Sequence, residues 1–178
     1  MIHLWTIGHS TRTIEDFIAL LTEYGIESLA DVRQFPGSRR YPQFGQRALD
    51  ESLSRAGIAY EHVPELGGRR RPRPDSPNTA WRHEAFRGYA DYMMTDQFRA
   101  GVVRLLDLAR RRRTAFMCAE AVWWQCHRGL IADYLKAAGH DVVHILGPGK
   151  TEAHPFTSAA RIVDGALSYA APADLLDS

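Results

Sequence analysis

Short apolar runs alternate with amphipathic stretches along most of this chain, a pattern typical of strands separated by helices. The apolar runs show no regular alternation with polar residues, so each predicts a strand that is buried on both faces. Five strands are predicted in this way, at residues 4–7, 26–32, 58–63, 114–119 and 142–146. The stretches between them predict five helices. The first begins after a cap at residue 13 and ends at Gly25, and the other four cover residues 46–56, 81–94, 96–111 and 126–138.

This order of elements predicts an α/β fold, because parallel strands need crossover connections and helices supply them. Right-handed crossovers then give a three-layer, Rossmann-like domain with a mostly parallel sheet of about five strands and helices on both faces. We expect residues 1–178 to form a single domain with its core in residues 3–147. Residues 148–178 are predicted to be an irregular C-terminal tail that contains at most a helix near residues 159–166.

Polar side chains and glycines follow the ends of most of the predicted strands. In a parallel sheet all carboxyl ends lie at one edge, where ligands bind in open α/β folds. The residues expected there are His9 and Ser10, Asp31 and Arg33, Glu65 with Gly67 and Gly68, Cys118 and Glu120, and His144 of the fifth strand. The glycine pair predicts a tight turn that brings backbone amides close to a ligand. The sequence therefore predicts one site at this edge.

Cys126, His127 and Arg128 fall in the first turn of the helix predicted after the fourth strand. The free amides and positive dipole end of a helix lower the pKa of a thiol and attract anions. Cys126 is therefore a candidate thiolate nucleophile, with Arg128 as an anion ligand. The alternative is an inert, partly buried cysteine beside two solvated side chains.

The spacing of the two cysteines separates several classes of site. A tyrosine phosphatase loop needs an arginine six residues after its cysteine, but Trp124 and Ala132 occupy those positions, so this class is disfavoured. Cys118 and Cys126 are eight residues apart, unlike the closely spaced pairs of zinc sites and thioredoxin-like motifs. We therefore predict no cofactor, with a metal at the cysteines as a less favoured alternative. We favour thiols or ligands over a structural disulfide, and a disulfide between these two cysteines stays open because the spacing does not give their distance.

Gly8, His9 and Ser10 occupy the position where nucleotide-binding folds place a phosphate loop. No G-x-G-x-x-G or G-x-x-x-x-G-K motif occurs, so neither a dinucleotide site nor an ATP-type loop is supported. His9 is a candidate general base or phosphate ligand, and the alternative is that it caps the next helix. Asp31 and Arg33 likewise form either part of the site or a salt bridge that fixes a turn.

Composition and charge narrow the function classes. The 178 residues are 45% hydrophobic and 24% charged, as in an ordinary globular protein. No apolar run approaches the roughly 18 residues of a membrane span and the N-terminus lacks a signal-peptide pattern, so we expect a cytoplasmic protein without a membrane partner. The net charge of +1 argues against indiscriminate polyanion binding, but residues 33–113 contain 17 arginines and only 9 acidic residues. Guanidinium groups favour carboxylate or phosphate partners, so an anionic ligand stays open.

Several of these motifs occur together in one known family. They are Thr6 to Ser10, Asp31 to Arg33, Leu66 to Gly68, Cys118 to Glu120 and Cys126 to Arg128, with His144 and Gly147 further on. In this order, over residues 4–154, the chain resembles the domain of unknown function 488 family. Many members have a proline between the glutamate and the second cysteine, where this chain has Trp123 and Trp124. The resemblance implies that these motifs form one site, and it implies no particular reaction.

These observations predict an enzyme, a hydrolase or a transferase, that acts on an anionic phosphate-bearing substrate such as a nucleotide or nucleic acid. The candidate catalytic residues are Cys126 and Glu120, as nucleophile or general base, together with Cys118, His9 and Asp31. The candidate anion- and substrate-binding residues are Ser10, Arg33, Gly67, Gly68, His127, Arg128 and His144.

Two other functions stay open. The first is a non-catalytic nucleic-acid-binding module, in which the arginines of residues 39–40 and 69–73 contact phosphates while Tyr41, Trp81 or Trp124 stack on bases. The second is a metal or redox site built on the two cysteines. The predicted partner is thus an anionic small molecule or a nucleic acid, and no oligomeric state is predicted.

Overall fold

A six-stranded sheet forms the centre of the computed structural model, which describes residues 1–172. Its strands are β1 (His3–Gly8), β2 (Ser28–Asp31), β3 (Ala59–His62), β4 (Thr114–Cys118), β5 (Asp141–Gly147) and β6 (Lys150–Ala153). The order is β3-β2-β4-β1-β5-β6, in which β1 to β5 are parallel and β6 is antiparallel to β5. The predicted α/β fold with a mostly parallel sheet is confirmed, and the sheet has six strands where about five were expected.

Helices pack on both faces of this sheet. They are α1 (Ile14–Glu23), α2 (Gln46–Arg55), α3 (Glu84–Tyr92), α4 (Asp96–Arg111) and α5 (Arg128–Ala137). Phe116 and Met117 are neighbours in β4 and therefore point to opposite faces. Met117 belongs to a buried cluster with Phe17 of α1 and Leu49 of α2, whereas Phe116 belongs to a second cluster with Phe98 of α4. Within residues 1–172, no helix is long and apolar enough to cross a membrane.

The beginnings of three helices bear on the sequence predictions. Thr13 Oγ1 accepts the amide of Asp16 at 3.1 Å, which confirms the predicted cap of α1. Helix α4 has the predicted bounds, and Thr95 caps it in the same way. Helix α5 begins at Arg128 rather than at residue 126, so Cys126 lies just before the helix.

The C-terminal segment differs from the prediction. Instead of an irregular tail with a helix near residues 159–166, β6 extends the sheet and a separate hairpin follows. The strands of this hairpin are β7 (Arg161–Val163) and β8 (Ala166–Ser168). Asp164 and Gly165 at its turn have φ values of 52° and 79°, the left-handed conformation that a two-residue hairpin turn requires. The local turn chemistry of this pair outweighs the alanine-rich composition that favoured a helix.

The carboxyl ends of β1, β2 and β4 are neighbours, so the loops that leave them meet. Gly8 lies opposite Cys118 in the parallel register of β1 and β4. Beyond the strands, the amides of His9 and Ser10 donate to the carbonyls of Cys118 and Ala119 at 3.0 and 2.9 Å. A Cβ atom on Gly8 would lie 1.7 Å from the carbonyl oxygen of Glu120. Only glycine therefore lets the loop of residues 119–121 cross the end of β1 this closely.

Candidate active site

A pocket of about 660 Å³ opens at the carboxyl edge of the sheet. The loops that follow β1, β2 and β4 form it, together with the segment before α5 and parts of residues 68–69 and 85–89. The predicted site residues that line it are His9, Ser10, Arg33, Gly68, Cys118, Glu120, Cys126 and His127. The other four predicted residues, Asp31, Gly67, Arg128 and His144, are buried behind the pocket wall.

Cys126 and His127 form a side-chain pair in this pocket. The Cys126 sulfur lies 3.4 Å from His127 Nδ1 and accepts the backbone amide of Arg128 at 3.4 Å. His127 Nε2 lies 2.8 Å from the carbonyl oxygen of Val32. Because a carbonyl only accepts, Nε2 carries the hydrogen and Nδ1 presents its lone pair to the sulfur. Burial lowers the pKa of His127 to about 4, with the charges of Arg128 and Arg70 adding to the effect. The pair thus combines a candidate nucleophile with an oriented neutral base.

The two cysteines meet at the floor of the pocket. Cys118 ends β4 and is 1% exposed, and Cys126 is 6% exposed. Their sulfur atoms are in contact, and the structure pairs them as a disulfide. The preference for thiols or ligands is therefore corrected in favour of the disulfide that the sequence left open, because the fold brings residues that are eight apart in sequence side by side. Since only a thiolate is a nucleophile, Cys126 can react once an added thiol reductant has reduced this pair and has itself been oxidised to a disulfide.

His9 is buried and contributes to the lining of the pocket. Its ring stacks on Phe44 at 4.4 Å between centroids, and its Nδ1 donates to the carbonyl of Ser10 at 2.9 Å. Nε2 is buried and has no hydrogen-bond partner among residues 1–172. Burial, together with the charge of Arg33, lowers the pKa of His9 despite the hydrogen bond to Ser10. Since Thr13 caps α1, His9 does not fill the alternative role of helix cap, and it is a neutral histidine with a free acceptor.

Arg33 is held at the pocket wall by a buried carboxylate. Its Nε and Nη2 donate to the two oxygens of Asp31 at 2.9 and 2.7 Å, and its backbone amide donates to Oδ1 at 3.1 Å. Tyr60 donates its hydroxyl to Oδ2 at 2.6 Å, and burial beside this carboxylate raises the pKa of Tyr60. Asp31 is fully buried and does not line the pocket, so its geometry suits the orientation of Arg33. The salt bridge considered from sequence is present, and it directs Arg33 to the site.

The glycine pair after β3, Gly67 and Gly68, is required because neighbouring groups lie too close for a side chain, and not because of an unusual backbone angle. A Cβ atom on Gly67 would lie 2.6 Å from Gln34 Cα, and one on Gly68 would lie 3.0 Å from His127 Nδ1. The φ of Gly67 is −65°, which any residue can adopt, and its amide donates to Pro64 at 2.9 Å. Gly68 thus leaves room for the His127 ring, whereas Gly67 packs against the strand-end loop.

Arg128 and His144, predicted to bind anions, lie beneath the pocket. Arg128 is 1% exposed, and its side chain donates to Thr6 Oγ1 and to the carbonyls of Glu120 and Ala121 at 3.1, 2.9 and 3.3 Å. Burial lowers its pKa to about 9. His144 is fully buried and also contacts Thr6. Neither side chain reaches the pocket, contrary to the predictions of direct anion contact, because both form hydrogen bonds with other protein groups inside the core.

Arg40 and Arg69 also line the pocket, although the sequence analysis did not assign them to the site. Neither of them forms an ion pair within the part of the chain that the structure describes. Arg33 is already paired with Asp31, so Arg40 and Arg69 are the two pocket guanidinium groups without an ion pair in residues 1–172, and the exposed Glu120 is the pocket carboxylate. The arginine clusters in the sequence indicated anion-binding side chains, but the conformation of the loops decides which of these arginines line the pocket.

Aromatic side chains complete the wall: Phe35, Tyr41, Phe86 and Tyr89. Phe35 is 71% exposed, which leaves its ring free for a ligand. The rings named for base stacking from sequence differ in availability. Trp124 is 54% exposed, but Trp81 packs against Phe86 with ring centroids 5.2 Å apart.

The arginine-rich loop of residues 69–73 is partly engaged with the protein itself. Arg70 stacks on the ring of Tyr92 at 3.7 Å and donates to Gly67 O at 3.2 Å. Arg73 pairs with Asp75 at 2.9 Å. These contacts leave fewer guanidinium groups for a nucleic-acid backbone than the sequence suggests. As for metals, residues 1–172 contain no cluster of three or more His, Cys, Asp or Glu side chains that could hold an ion.

A comparison with protein families links these motifs to one family. The family model "Domain of unknown function DUF488" matches residues 13–135. This segment contains Asp31, Arg33, the cysteine pair and Glu120, whereas His9 precedes it. Comparisons with curated proteins and with solved structures found no match. Since the match covers more than half of the chain and agrees with the resemblance of its motifs, the chain belongs to the DUF488 family.

Proposed function

We propose that this protein is an enzyme, a hydrolase or a transferase, that acts on a phosphate-bearing substrate of nucleotide size through a covalent bond to Cys126. One observation carries the proposal: the oriented Cys126–His127 pair shares a pocket with Arg33, Arg40 and Arg69. A nucleophile with an oriented base and a set of cations for a bound anion are the two parts that such a reaction requires.

The charge and shape of the pocket favour a phosphate-bearing molecule. Guanidinium groups bind phosphate oxygens through charge-assisted hydrogen bonds, and Arg33 is fixed for this role by Asp31. The volume of about 660 Å³ lies in the range of small-molecule sites. The exposed ring of Phe35 offers a surface on which a nucleobase can stack. A nucleotide supplies both the anion and the planar ring.

The first step follows from the geometry of the cysteine pair in its reduced form. His127 Nδ1 accepts the thiol proton while the sulfur attacks the electrophilic phosphorus or carbon of the substrate. Because burial disfavours the imidazolium, the proton moves as the attack proceeds rather than beforehand. A bond from the sulfur to the substrate forms and the bond to the leaving group breaks. The electron pair of that bond stays with the leaving group.

The remaining proton transfers fall to groups at the pocket mouth and wall. The proton that His127 took up passes to the leaving group. The exposed Glu120 carboxylate has no hydrogen-bond partner within residues 1–172, so it is free to accept the proton of the incoming acceptor and to return it to the released thiolate. The free Nε2 of His9 accepts a donor group of the substrate. Water as acceptor makes the reaction a hydrolysis, and an alcohol or amine makes it a group transfer. Attack of either on the intermediate releases Cys126.

Turnover of a nucleotide panel tests this proposal. The reduced protein is incubated with ribo- and deoxyribonucleoside mono-, di- and triphosphates, and ³¹P NMR with chromatography detects new products. Cys126→Ser and Glu120→Gln should abolish turnover. Cys118 is a candidate catalytic residue from sequence but has no role in the proposed step, so the matched variant Cys118→Ser should keep turnover. Turnover that survives in both Cys126→Ser and Glu120→Gln would reject the assignment. A wild-type protein that converts none of these compounds but binds oligonucleotides with a steep salt dependence would favour the non-catalytic nucleic-acid module.

A further inference from the structure

A chain of buried polar side chains connects the core of the molecule to the pocket loop, residues 119–121. We infer that this chain, which we call the relay, positions the loop and thereby the Glu120 carboxylate. The relay consists of Asp133, His154, His144, Thr6 and Arg128. As far as Glu120 is concerned, the inference rests on the proposed function. The relay residues do not line the pocket, so they are positioning residues for the proposed reaction.

Four consecutive hydrogen bonds make up the relay. Arg128 Nη1 lies 3.1 Å from Thr6 Oγ1, and Thr6 Oγ1 lies 2.6 Å from His144 Nδ1. His144 Nε2 lies 2.8 Å from His154 Nδ1, and His154 Nε2 lies 2.8 Å from Asp133 Oδ1. All five side chains are at most 3% exposed. Such a continuous buried network rigidifies the elements that it joins, and among residues 1–172 the polar atom of these five side chains that has no hydrogen-bond partner is Arg128 Nε.

The two ends of the relay fix the direction of its hydrogens. Arg128 can only donate, so Thr6 accepts from it and has its own hydroxyl hydrogen available for His144 Nδ1. His144 then carries a hydrogen on Nε2 and donates to His154 Nδ1. His154 in turn carries a hydrogen on Nε2 and donates to the carboxylate of Asp133. Burial, and after it the neighbouring His154 and Arg128, lower the pKa of His144, so His144 is neutral in this arrangement.

The relay also gives the buried guanidinium an indirect counter-charge. The acceptors that Arg128 contacts are all neutral oxygens, and burial lowers the pKa of its guanidinium, an effect that the charge of the Glu120 carboxylate offsets only in part. Asp133 is a fully buried carboxylate and also accepts the Thr157 amide, the Thr157 hydroxyl and the Tyr169 hydroxyl at 3.0, 2.5 and 2.7 Å. Polarised hydrogen bonds through the relay therefore join the positive end to the negative end.

Arg128, the positive end of the relay, forms hydrogen bonds with the backbone of the pocket loop. Arg128 Nη2 donates to the carbonyls of Glu120 and Ala121, which pulls the loop backbone towards the core. On the other side of the loop, the amide of Ser10 donates to the Ala119 carbonyl at 2.9 Å. Trp123 covers the middle of the relay, with its ring stacked on His144 at 4.8 Å between centroids. With its carbonyl held inward, Glu120 has an exposed side chain that lines the pocket.

A threonine pair supplies the matched experiment. Thr6→Val removes the relay hydroxyl with little change in volume, and Thr6→Ser keeps it. Thr114 is equally buried in β4, outside the relay, and donates to the carbonyl of Arg112 at 3.0 Å, so Thr114→Val is the control. Two readouts need no substrate: ¹⁵N NMR of the histidine rings and hydrogen exchange at the Ser10 amide, whose acceptor is in the pocket loop.

In the wild-type protein we expect His144 to be neutral, with its hydrogen on Nε2 and a bare Nδ1. Thr6→Val should speed exchange at the Ser10 amide about fivefold or more, the effect of losing roughly one hydrogen bond, while Thr114→Val leaves it unchanged. Thr6→Ser should restore the wild-type rate. A hydrogen on His144 Nδ1, or equal exchange in the two valine variants, would overturn the inference. If Thr6→Val does not fold, the wild-type ring tautomers and Thr6→Ser still decide it.

If turnover is found, Thr6→Val should lower kcat about tenfold or more with little change in KM, because displacement of a catalytic group costs rate rather than binding. An unchanged kcat together with faster Ser10 exchange would show that the relay holds the loop but not Glu120, and would overturn that part of the inference. Absence of turnover in the wild-type protein would reject the proposed function alone, since the NMR and exchange results do not depend on it.

Discussion

His127 should make the protein lose stability in mild acid, and the structure sets the size of that loss. Its pKa is lowered from 6.5 to about 4, mainly by burial. The unfolded chain therefore binds a proton near pH 6.5, whereas the folded protein resists it until about pH 4. The free energy of unfolding is then fully supported above pH 6.5 and falls as the pH drops towards 4. Between pH 7.5 and pH 5, the protonation of this one histidine lowers the free energy of unfolding by about 2 kcal/mol.

The informative change is His127→Gln. Glutamine cannot titrate, and its side-chain amide can still donate to the Val32 carbonyl in place of Nε2. Burial also lowers the pKa values of His9 and His144, so the wild-type protein loses more than the His127 share in acid. The acid-induced loss of unfolding free energy in the wild type, minus the loss in His127→Gln, gives the part that is due to His127. His83→Gln removes an exposed imidazole and is the matched control.

The assay is urea unfolding at pH 7.5 and at pH 5, followed by fluorescence and circular dichroism, with unfolding free energies extrapolated to water. The loss of stability between the two pH values should be smaller by about 2 kcal/mol in His127→Gln than in the wild type. His83→Gln should keep the wild-type loss. An equal acid loss in wild type and His127→Gln would refute the argument that His127 is a buried neutral base.

Three further predictions follow from the same geometry. Gly8→Ala should lower the free energy of unfolding by about 3 kcal/mol or more in urea titrations, because its Cβ would lie 1.7 Å from Glu120 O; wild-type stability would contradict the close crossing. Asp31→Asn should cost about 3 to 5 kcal/mol by the same assay, since it leaves Arg33 without its carboxylate, and a loss below 1 kcal/mol would argue against the buried pair. Arg69→Ala should weaken inorganic phosphate binding about tenfold by calorimetry, and unchanged affinity would remove Arg69 from the anion site.

Much of the fold could be predicted because its signals are local. Helix α4 has the predicted bounds, since an amphipathic run follows a threonine cap. The strand ends that deliver His9, Arg33 and Cys118 also lie where the apolar runs stop. The C-terminal hairpin was missed, because the Asp164–Gly165 turn signal lies among alanines that favour a helix.

The site was predicted less well, because side-chain direction depends on tertiary neighbours. Arg128 stands beside a candidate nucleophile in the sequence, but its guanidinium turns into the core towards Thr6 and two loop carbonyls. The sequence around residue 128 does not indicate that Thr6 and the carbonyls of Glu120 and Ala121 accept hydrogen bonds from it. Arg40 and Arg69 show the converse, since the conformation of their loops, with φ of 61° at Arg69, brings them to the pocket. The contact of Cys118 with Cys126 likewise results from strand and helix placement rather than from spacing.

Alkylation of Cys126 tests the central claim, that a reactive cysteine lies in an anion-binding pocket, most directly. In the Cys118→Ser variant, Cys126 is the one remaining cysteine of the sequence and cannot form the disulfide. Its labelling rates with anionic iodoacetate and neutral iodoacetamide are compared by mass spectrometry at pH 7, with and without inorganic phosphate. We predict that iodoacetate reacts at least as fast as iodoacetamide and that phosphate slows both. Faster labelling by iodoacetamide, with no effect of phosphate, would contradict the proposed site.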